Sequence, residues 1–206
     1  MTRIKTLLLV ALAALALNAS AQYTQLGKKN EFMLKIEGGY APFVGHIGEA
    51  DNYGYPLPKS YHGADIDVMA GVNISQDWFL GGGAGFGYYF SNHDDTPSMM
   101  GAKVFADMDF RPIWKSVMGK DYQPKSIKWA PEVGVRLGGS ILLDHPVEGT
   151  LFSPLAEVYG GVNWYYWYHF NGMRNMTRNW SSFYLTAGVA YLHKTVFFPI
   201  RIGWRW

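Results

Sequence analysis

The sequence predicts an all-β protein, an eight-stranded antiparallel up-and-down β-barrel that crosses a membrane. Three observations predict it. Composition is the first: 24 Gly, 14 Tyr, 12 Phe and 8 Trp in 206 residues suit many strands and turns better than helices. The second is that eight segments of about ten to thirteen residues alternate with a period of two, the period of a strand with one face unlike the other. The third is that one alternating face is apolar almost throughout, whereas the other carries the charges.

The chain opens with "MTRIKTLLLVALAALALNASAQ", in which Arg3 and Lys5 precede an apolar run from Leu7 to Leu17 and small residues at "ASA". This is the pattern of a secretory signal peptide, expected to be removed after about Ala21. The run is too short for a helical anchor, which needs roughly 20 apolar residues. Residues 22–30 read as a polar lead, and 31–206 as the barrel domain. No cysteine is present, which excludes disulfides, thiolate metal sites, thiol catalysis and a lipidated cysteine. The 18 basic and 16 acidic residues become 16 and 16 once Arg3 and Lys5 leave with the signal. That balance argues against a nucleic-acid partner.

The first strand, 31–41, sets Phe32, Leu34, Ile36, Gly38 and Tyr40 against Lys35 and Glu37. A loop rich in Gly, Pro and Tyr, 42–61, leads to 62–72, where Ala64, Ile66, Val68 and Ala70 oppose Asp65, Asp67 and Met69. After the turn "NISQD" comes 78–90, "WFLGGGAGFGYYF", whose second face is mostly glycine. Segment 101–111 opposes Ala102, Val104, Ala106, Met108 and Phe110 to Lys103, Asp107, Asp109 and Arg111. Segment 127–140 opposes Trp129, Val133, Val135 and Leu137 to Glu132 and Arg136, with Pro131 expected to mark a strand start or a bulge. Segment 152–164 carries Ala156, Val158 and Val162 against Glu157 and Tyr159; 181–192 carries Phe183, Leu185, Ala187 and Val189 against Tyr184 and Thr186. The last segment ends in "PIRIGWRW", with Ile200, Ile202, Trp204 and Trp206 on one face and Arg201 and Arg205 on the other. With both termini on one side, the far-side loops are 42–61, 91–100, 141–151 and a short one near His193. The near-side connections are 74–77, 112–126 and 165–180, the last of which could instead prolong the sixth strand.

A soluble sandwich or a lipocalin-like carrier would also alternate, with its apolar face turned inward. Two features favour lipid outside and charge inside. Aromatics gather near strand ends (Phe32 and Tyr40, Trp78 and Phe90, Trp204 and Trp206), as in interfacial girdles. The apolar faces also hold many Ala and Gly, a poor filling for a core about 10 Å thick. The charged face collects Lys35, Glu37, Asp65, Asp67, Lys103, Asp107, Asp109, Arg111, Glu132, Arg136, Glu157, Arg201 and Arg205. Eight strands enclose a lumen just wide enough for side chains to fill, so these seven acids and six bases are expected to pair across it and plug it. A narrow channel for small solutes is the alternative. Gly81, Gly83, Gly85 and Gly87 would leave room for long Arg and Glu from facing strands, and Glu37 is the expected nearest partner of Arg201 and Arg205.

On "NISQDWFLGGGAGFGYYF", "AKVFADMDFRP" and "IRIGWRW", the chain from 31 to 206 resembles the small eight-stranded outer-membrane barrels of the OmpA/OmpX-like type, especially the β-barrel domain proteins of Bacteroidetes. The resemblance implies a Gram-negative outer membrane, contact with its lipid and lipopolysaccharide, and a monomer. It also implies recognition by the barrel-assembly machinery, with Ile200, Ile202, Trp204 and Trp206 as the assembly signal. It implies no single activity.

A lipid A-modifying barrel enzyme is the weaker alternative to a non-enzymatic barrel. Ser91, His93, Asp94 and Asp95 lie together in "SNHDD", but a nucleophile needs a positioned base and an orienting acid, and a loop tip normally leaves such groups solvated. The same loop would make at best a weak cation site. "GGGAGFG" lacks the Gly-Lys-Ser/Thr of a phosphate loop. No enzyme activity, cofactor or metal is expected. The expected role is membrane structure, with the 42–61 loop only covering the barrel mouth, or surface interaction through that loop, whose Phe43, Tyr53, Tyr55 and Tyr61 suit a glycan or protein surface.

Overall fold

The computed structural model describes residues 32–46, 61–75, 77–91, 98–111, 128–145, 149–169, 178–192 and 195–206. The expected signal and lead, 1–30, and most of the 42–61 loop lie outside the described residues. The described residues form ten strands: β1 (Phe32–Ala41), β2 (Phe43–His46), β3 (Tyr61–Asn73), β4 (Trp78–Ser91), β5 (Met99–Phe110), β6 (Lys128–His145), β7 (Gly149–His169), β8 (Arg178–Leu192), β9 (Thr195–Phe197) and β10 (Ile200–Arg205). They form eight walls. β1 and β2 are one wall strand interrupted at Pro42, and β9 and β10 are one interrupted at Phe198 and Pro199. Every neighbour is antiparallel, and the last wall strand pairs with both β8 and β1, so the sheet closes into a barrel. The fold class is therefore the one the alternation predicts. Closure gives each of the eight wall strands a partner on both sides, the condition for β-structure in hydrocarbon.

The register follows from hydrophobic pattern and turn chemistry together. β3 and β4 pair from Tyr61–Ser91 to Asn73–Phe79 across a tight turn, where Ile74 and Ser75 N–H groups donate to the Trp78 carbonyl and Ser75 Oγ accepts from Asp77 and Trp78. A slip of one residue would turn every charge outward. Instead the outer surface is built of Ile, Val, Leu, Phe and Trp: Val104, Val158 and Ile202 are each about two-thirds exposed, at 65%, 64% and 64%. This inverted partition, apolar outside and charged inside, is that of a transmembrane barrel.

Aromatic side chains bracket the apolar band. On the near side, Trp78 packs on Phe110 with ring centroids 4.9 Å apart, and Phe183 on Trp204 at 4.7 Å. On the far side, Tyr40, His62, Phe90 and Tyr88 form a cluster in which Tyr40 stacks on His62 at 5.7 Å. Trp78 and Tyr88 are ten residues apart on β4. At about 3.3 Å per residue and a tilt of about 40°, they stand roughly 25 Å apart along the barrel axis, the height of a lipid-facing band.

Strand lengths differ from the sequence expectation. The loop placed at 141–151 shrinks to three residues, because β6 runs to His145 and β7 starts at Gly149; Leu142 continues the inward parity of Arg136 and Ser140. The 165–180 connection is likewise shortened, with β7 reaching His169 and β8 starting at Arg178, the prolonged-strand alternative. The start of the 42–61 loop is strand β2, and Met99 and Met100, placed in the 91–100 loop, belong to β5. Pro131 sits three residues into β6 without a bulge; the irregularity of the β6–β7 ladder lies between Leu143 and His145.

Candidate functional site: the ion-paired interior

Parity places all thirteen charged residues named above in the interior. Twelve are buried outright, and Asp65 is 12% exposed. Neighbouring strands alone would not pair them well, since Lys35 stands opposite Arg205 and Glu37 opposite Asp67, and like charges opposite each other destabilise a sheet. Arg136 does face Asp107 and Glu157 on its two neighbours, but most of the other partners lie two or more strands away.

At the centre, Arg136 on β6 reaches the far wall and holds Glu37 on β1 by two bonds, Nη1 to Oε1 at 2.5 Å and Nη2 to Oε2 at 2.9 Å. Its Nε donates to Asp107 Oδ1 at 3.2 Å, and its guanidinium lies 4.6 Å from the centre of the Tyr159 ring. Tyr159 and Tyr184 donate their hydroxyls to Asp107 and Glu37 at 2.8 and 2.9 Å. Lys35 Nζ bridges Asp107 and Asp109, each at 2.5 Å, and caps the Phe79 ring at 4.3 Å.

Toward the near side, Arg205 contacts Glu132 at 2.7 Å and Asp109 at 3.4 Å and donates to Asn163 at 2.8 Å. Asn163 in turn donates to Glu132. Arg111 contacts Asp109 at 2.6 Å and donates to Asn73 at 2.7 Å. Toward the far side, Arg201 bonds Glu157 and Asp65, the latter at 2.9 Å, and Lys103 bridges Asp65 and Asp67 at 2.6 and 2.8 Å. Arg201 Nε stands 3.4 Å from Glu37, which joins this group to the centre. The thirteen charges thus form one connected network, and pairs such as Arg136–Glu37 span the lumen wall to wall.

Two expectations need correction. Glu37 is not the nearest partner of either terminal arginine: it lies opposite Gly203, between them, and is engaged by Arg136. Arg201 is nearer Glu157 and Asp65, and Arg205 nearer Glu132. The glycines of β4 also make room chiefly for other groups than Arg and Glu. A Cβ on Gly81 would stand 2.5 Å from Phe79 Cζ, and one on Gly83 would stand 2.5 Å from Met69 and 2.8 Å from Phe105. A Cβ on Gly85 would collide with Asp67 Oδ1 and lie 2.8 Å from Lys103 Cε. Tyr159 and Tyr184 likewise lie over Gly134 and Gly203, their cross-strand partners. Cross-strand glycine lets the rings lie flat, which frees the bore for the ions.

A prediction follows for β4. Gly85→Ala is expected to displace Asp67 and Lys103 and to cost about 1–3 kcal/mol, the range for overpacking. Gly82→Ala faces outward with its nearest neighbour at 3.6 Å and should stay within about 0.5 kcal/mol of the native value. Urea unfolding in lipid vesicles compares them.

Sequence reading missed a second interior compartment. At the far end the lumen is apolar, filled by Ala41, Tyr89, Met99, Leu142, Leu155, Leu192 and Phe197, with Met69 and Phe105 below them. The signal was available: Tyr89 shares parity with the glycines of β4, and Leu142 with Arg136. Ile200, Ile202, Trp204 and Trp206, the expected assembly signal, all point outward. Trp206 also exchanges both backbone bonds with Leu34, at 2.9 and 3.0 Å. Of the "SNHDD" loop, residues 92–97 and the Ser91 side chain lie outside the described residues.

A closed eight-stranded barrel with a lipid-compatible surface and an ionic interior defines the chain as a small transmembrane β-barrel. No family model matches it, and no curated protein matches it in sequence. Solved structures similar to it in fold are small outer-membrane barrels. Neisserial surface protein A is 14% identical, with a TM-score of 0.47 over 84% of this chain and 95% of that one. The N-terminal β-barrel domain of Pseudomonas aeruginosa OprF is 12% identical, with a TM-score of 0.46 over 87% and 100%. Ail, the attachment invasion locus protein of Yersinia pestis, is 13% identical, with a TM-score of 0.39 over 87% and 100%.

Proposed function

We propose that this chain is a non-enzymatic outer-membrane barrel of a Gram-negative bacterium, closed by its own ion pairs, that serves membrane structure or surface interaction through its far-side loops. The observation that carries the proposal is the single ionic network inside a continuous apolar exterior. Isolated buried charges cost several kcal/mol each, and only well-bonded pairs are tolerated; here each of the six bases of the network meets at least one carboxylate within 3.0 Å. Such a bore has exchanged its water for side chains, which favours a plug over a diffusion path. The long 42–61 loop, whose residues 47–60 lie outside the described residues, would then be the binding element on a rigid scaffold, for a glycan or protein partner. The outward row Ile200, Ile202, Trp204 and Trp206 would present the assembly signal to the barrel-assembly machinery.

Two measurements test this. The folded protein should fractionate with outer membranes and migrate faster on detergent gels before boiling than after. Reconstituted in planar bilayers, it should give no discrete single-channel openings at neutral pH. Release by osmotic shock without detergent would defeat the membrane placement, and well-resolved openings would defeat the plug.

A further inference from the structure

The ionic network sets seven carboxylates against six bases, so pairing leaves one negative charge over. A buried charge without its own partner costs several kcal/mol, and such a group escapes the cost by becoming neutral. A bound metal ion would need room and several oxygen ligands, and among the described residues no group of three or more His, Asp or Glu could hold one. A proton needs neither, and the geometry singles out the carboxylate that takes it.

Six of the seven carboxylates accept a hydrogen bond from a cation: Glu37 from Arg136, Asp65 from Lys103 and Arg201, Asp107 and Asp109 from Lys35, Glu132 from Arg205 and Glu157 from Arg201. Asp67 is fully buried, and neither of its oxygens is in a hydrogen bond. Its one close cation, Lys103 Nζ, stands 2.8 Å from Oδ2 outside hydrogen-bond geometry and donates to Asp65 at 2.6 Å. Arg201 Nε and Arg136 Nη1 are 3.7 and 3.8 Å from Oδ2, and both are nearer Glu37 Oε1, at 3.4 and 2.5 Å.

The walls around Asp67 add acids and no further base. Its partner on β1 is Glu37, its partner on β4 is Gly85, over which Oδ1 lies, and Asp65 precedes it on the same face of β3. Tyr89 on β4 is an uncharged hydroxyl within electrostatic reach. Glu157 on β7 holds Arg201 and stands 3.9 Å from Arg136, which draws both guanidinium groups away. Asp67 thus has two carboxylates against it and competes for three cations, each better bonded elsewhere. Carboxylates crowded onto one site do not all ionise.

We propose that Asp67 is a proton-binding site, a neutral carboxylic acid at neutral pH whose proton is the seventh positive charge of the bore. As an acid it can donate to a neighbouring carboxylate, and it leaves Lys103, Arg136 and Arg201 to Asp65, Glu37 and Glu157. Loss of the proton would set a new charge against Glu37, where the central and far-side ion pairs join. The proposal rests on the closed bore and names the group on which its charge balance depends.

Two measurements on the full barrel at neutral pH test it. Infrared spectra are taken in vesicles of an ether-linked phosphatidylcholine, which has no ester carbonyl. A band from a neutral carboxylic acid is expected, displaced by heavy carbon at the aspartate side-chain carboxyls and absent from Asp67→Asn. In urea unfolding Asp67→Asn should keep the native midpoint, because an amide copies a neutral acid in shape and charge. Asp107→Asn, equally buried but bonded to Lys35, Arg136 and Tyr159, should lower it. The absence of such a band, or a band that persists in Asp67→Asn, would overturn the site. Equal losses in both variants would do the same, since they would mean an ionised Asp67 in a closed bore. Midpoints unmoved in both would show charges screened by water, which overturns the closed bore and the site with it.

Discussion

Arg136→Met is expected to destabilise the barrel by about 3–5 kcal/mol, the cost of breaking a buried ion pair from one side. Arg136 is 2% exposed and touches Glu37 twice and Asp107 once. Its removal leaves two carboxylates short of a cation at the centre of the bore. Lys35 still serves Asp107 at 2.5 Å, but the nearest remaining base to Glu37 is Arg201 at 3.4 Å, already committed to Glu157 and Asp65. Tyr184 continues to donate to Glu37, and a neutral donor does not replace a guanidinium. Glu37→Gln combined with Arg136→Met should cost less than the sum of the single changes, because each single change strands the other partner's charge. Urea unfolding in vesicles at neutral pH measures the cycle. A water-filled bore would screen the pair as at a surface, where such pairs are worth about 0–1 kcal/mol; a loss that small would show an open lumen.

The same residues show what sequence can and cannot carry. Inward parity was legible because period two is rigid: once Phe32 to Tyr40 define an outward row, Lys35 and Glu37 must face the other way, and all thirteen charges follow by the same rule. Partner choice was not legible. Lys35 stands opposite Arg205 on its neighbour yet bonds Asp107 and Asp109 on β5, because pairing across a bore depends on the stagger of the whole barrel and not on one ladder. Strand ends were misplaced for a different reason. Gly, Pro and Ser in "GGSILLDHPVEG" carry turn signals, and they hid the continued alternation of Ser140 and Leu142. With 141–151 assigned to one loop and 91–100 to another, Leu142 and Met99 were lost from the interior, and the apolar far compartment went unrecognised. The role of glycine was read correctly as making space, but the occupants were misjudged, because a glycine says only that a neighbour is large.

Val104→Arg gives the second large effect, and it tests the outer face as Arg136→Met tests the inner one. Val104 lies near the middle of β5 and is 65% exposed, with no charged residue beside it on the outward rows of β4 and β6: its partners are Ala84 and Gly139. In hydrocarbon at that depth an arginine costs about 2–4 kcal/mol, whereas near an interface it costs about 0–1. The contrast is therefore built into the barrel: Ile74, 43% exposed in the near-side turn between β3 and β4, donates its N–H to the Trp78 carbonyl and so stands level with the aromatic belt, where Ile74→Arg should be nearly silent. Unfolding in vesicles should give a loss at 104 several times that at 74. In a soluble barrel both side chains would face water, and both substitutions would stay within about 0.5 kcal/mol of the native value. A depth-independent result would remove the bilayer from the account, because no property of the interior network distinguishes position 104 from position 74. A graded result fixes the apolar band on the molecule without reference to any other protein, since only a slab of hydrocarbon penalises the same charge by its distance from the aromatic belt.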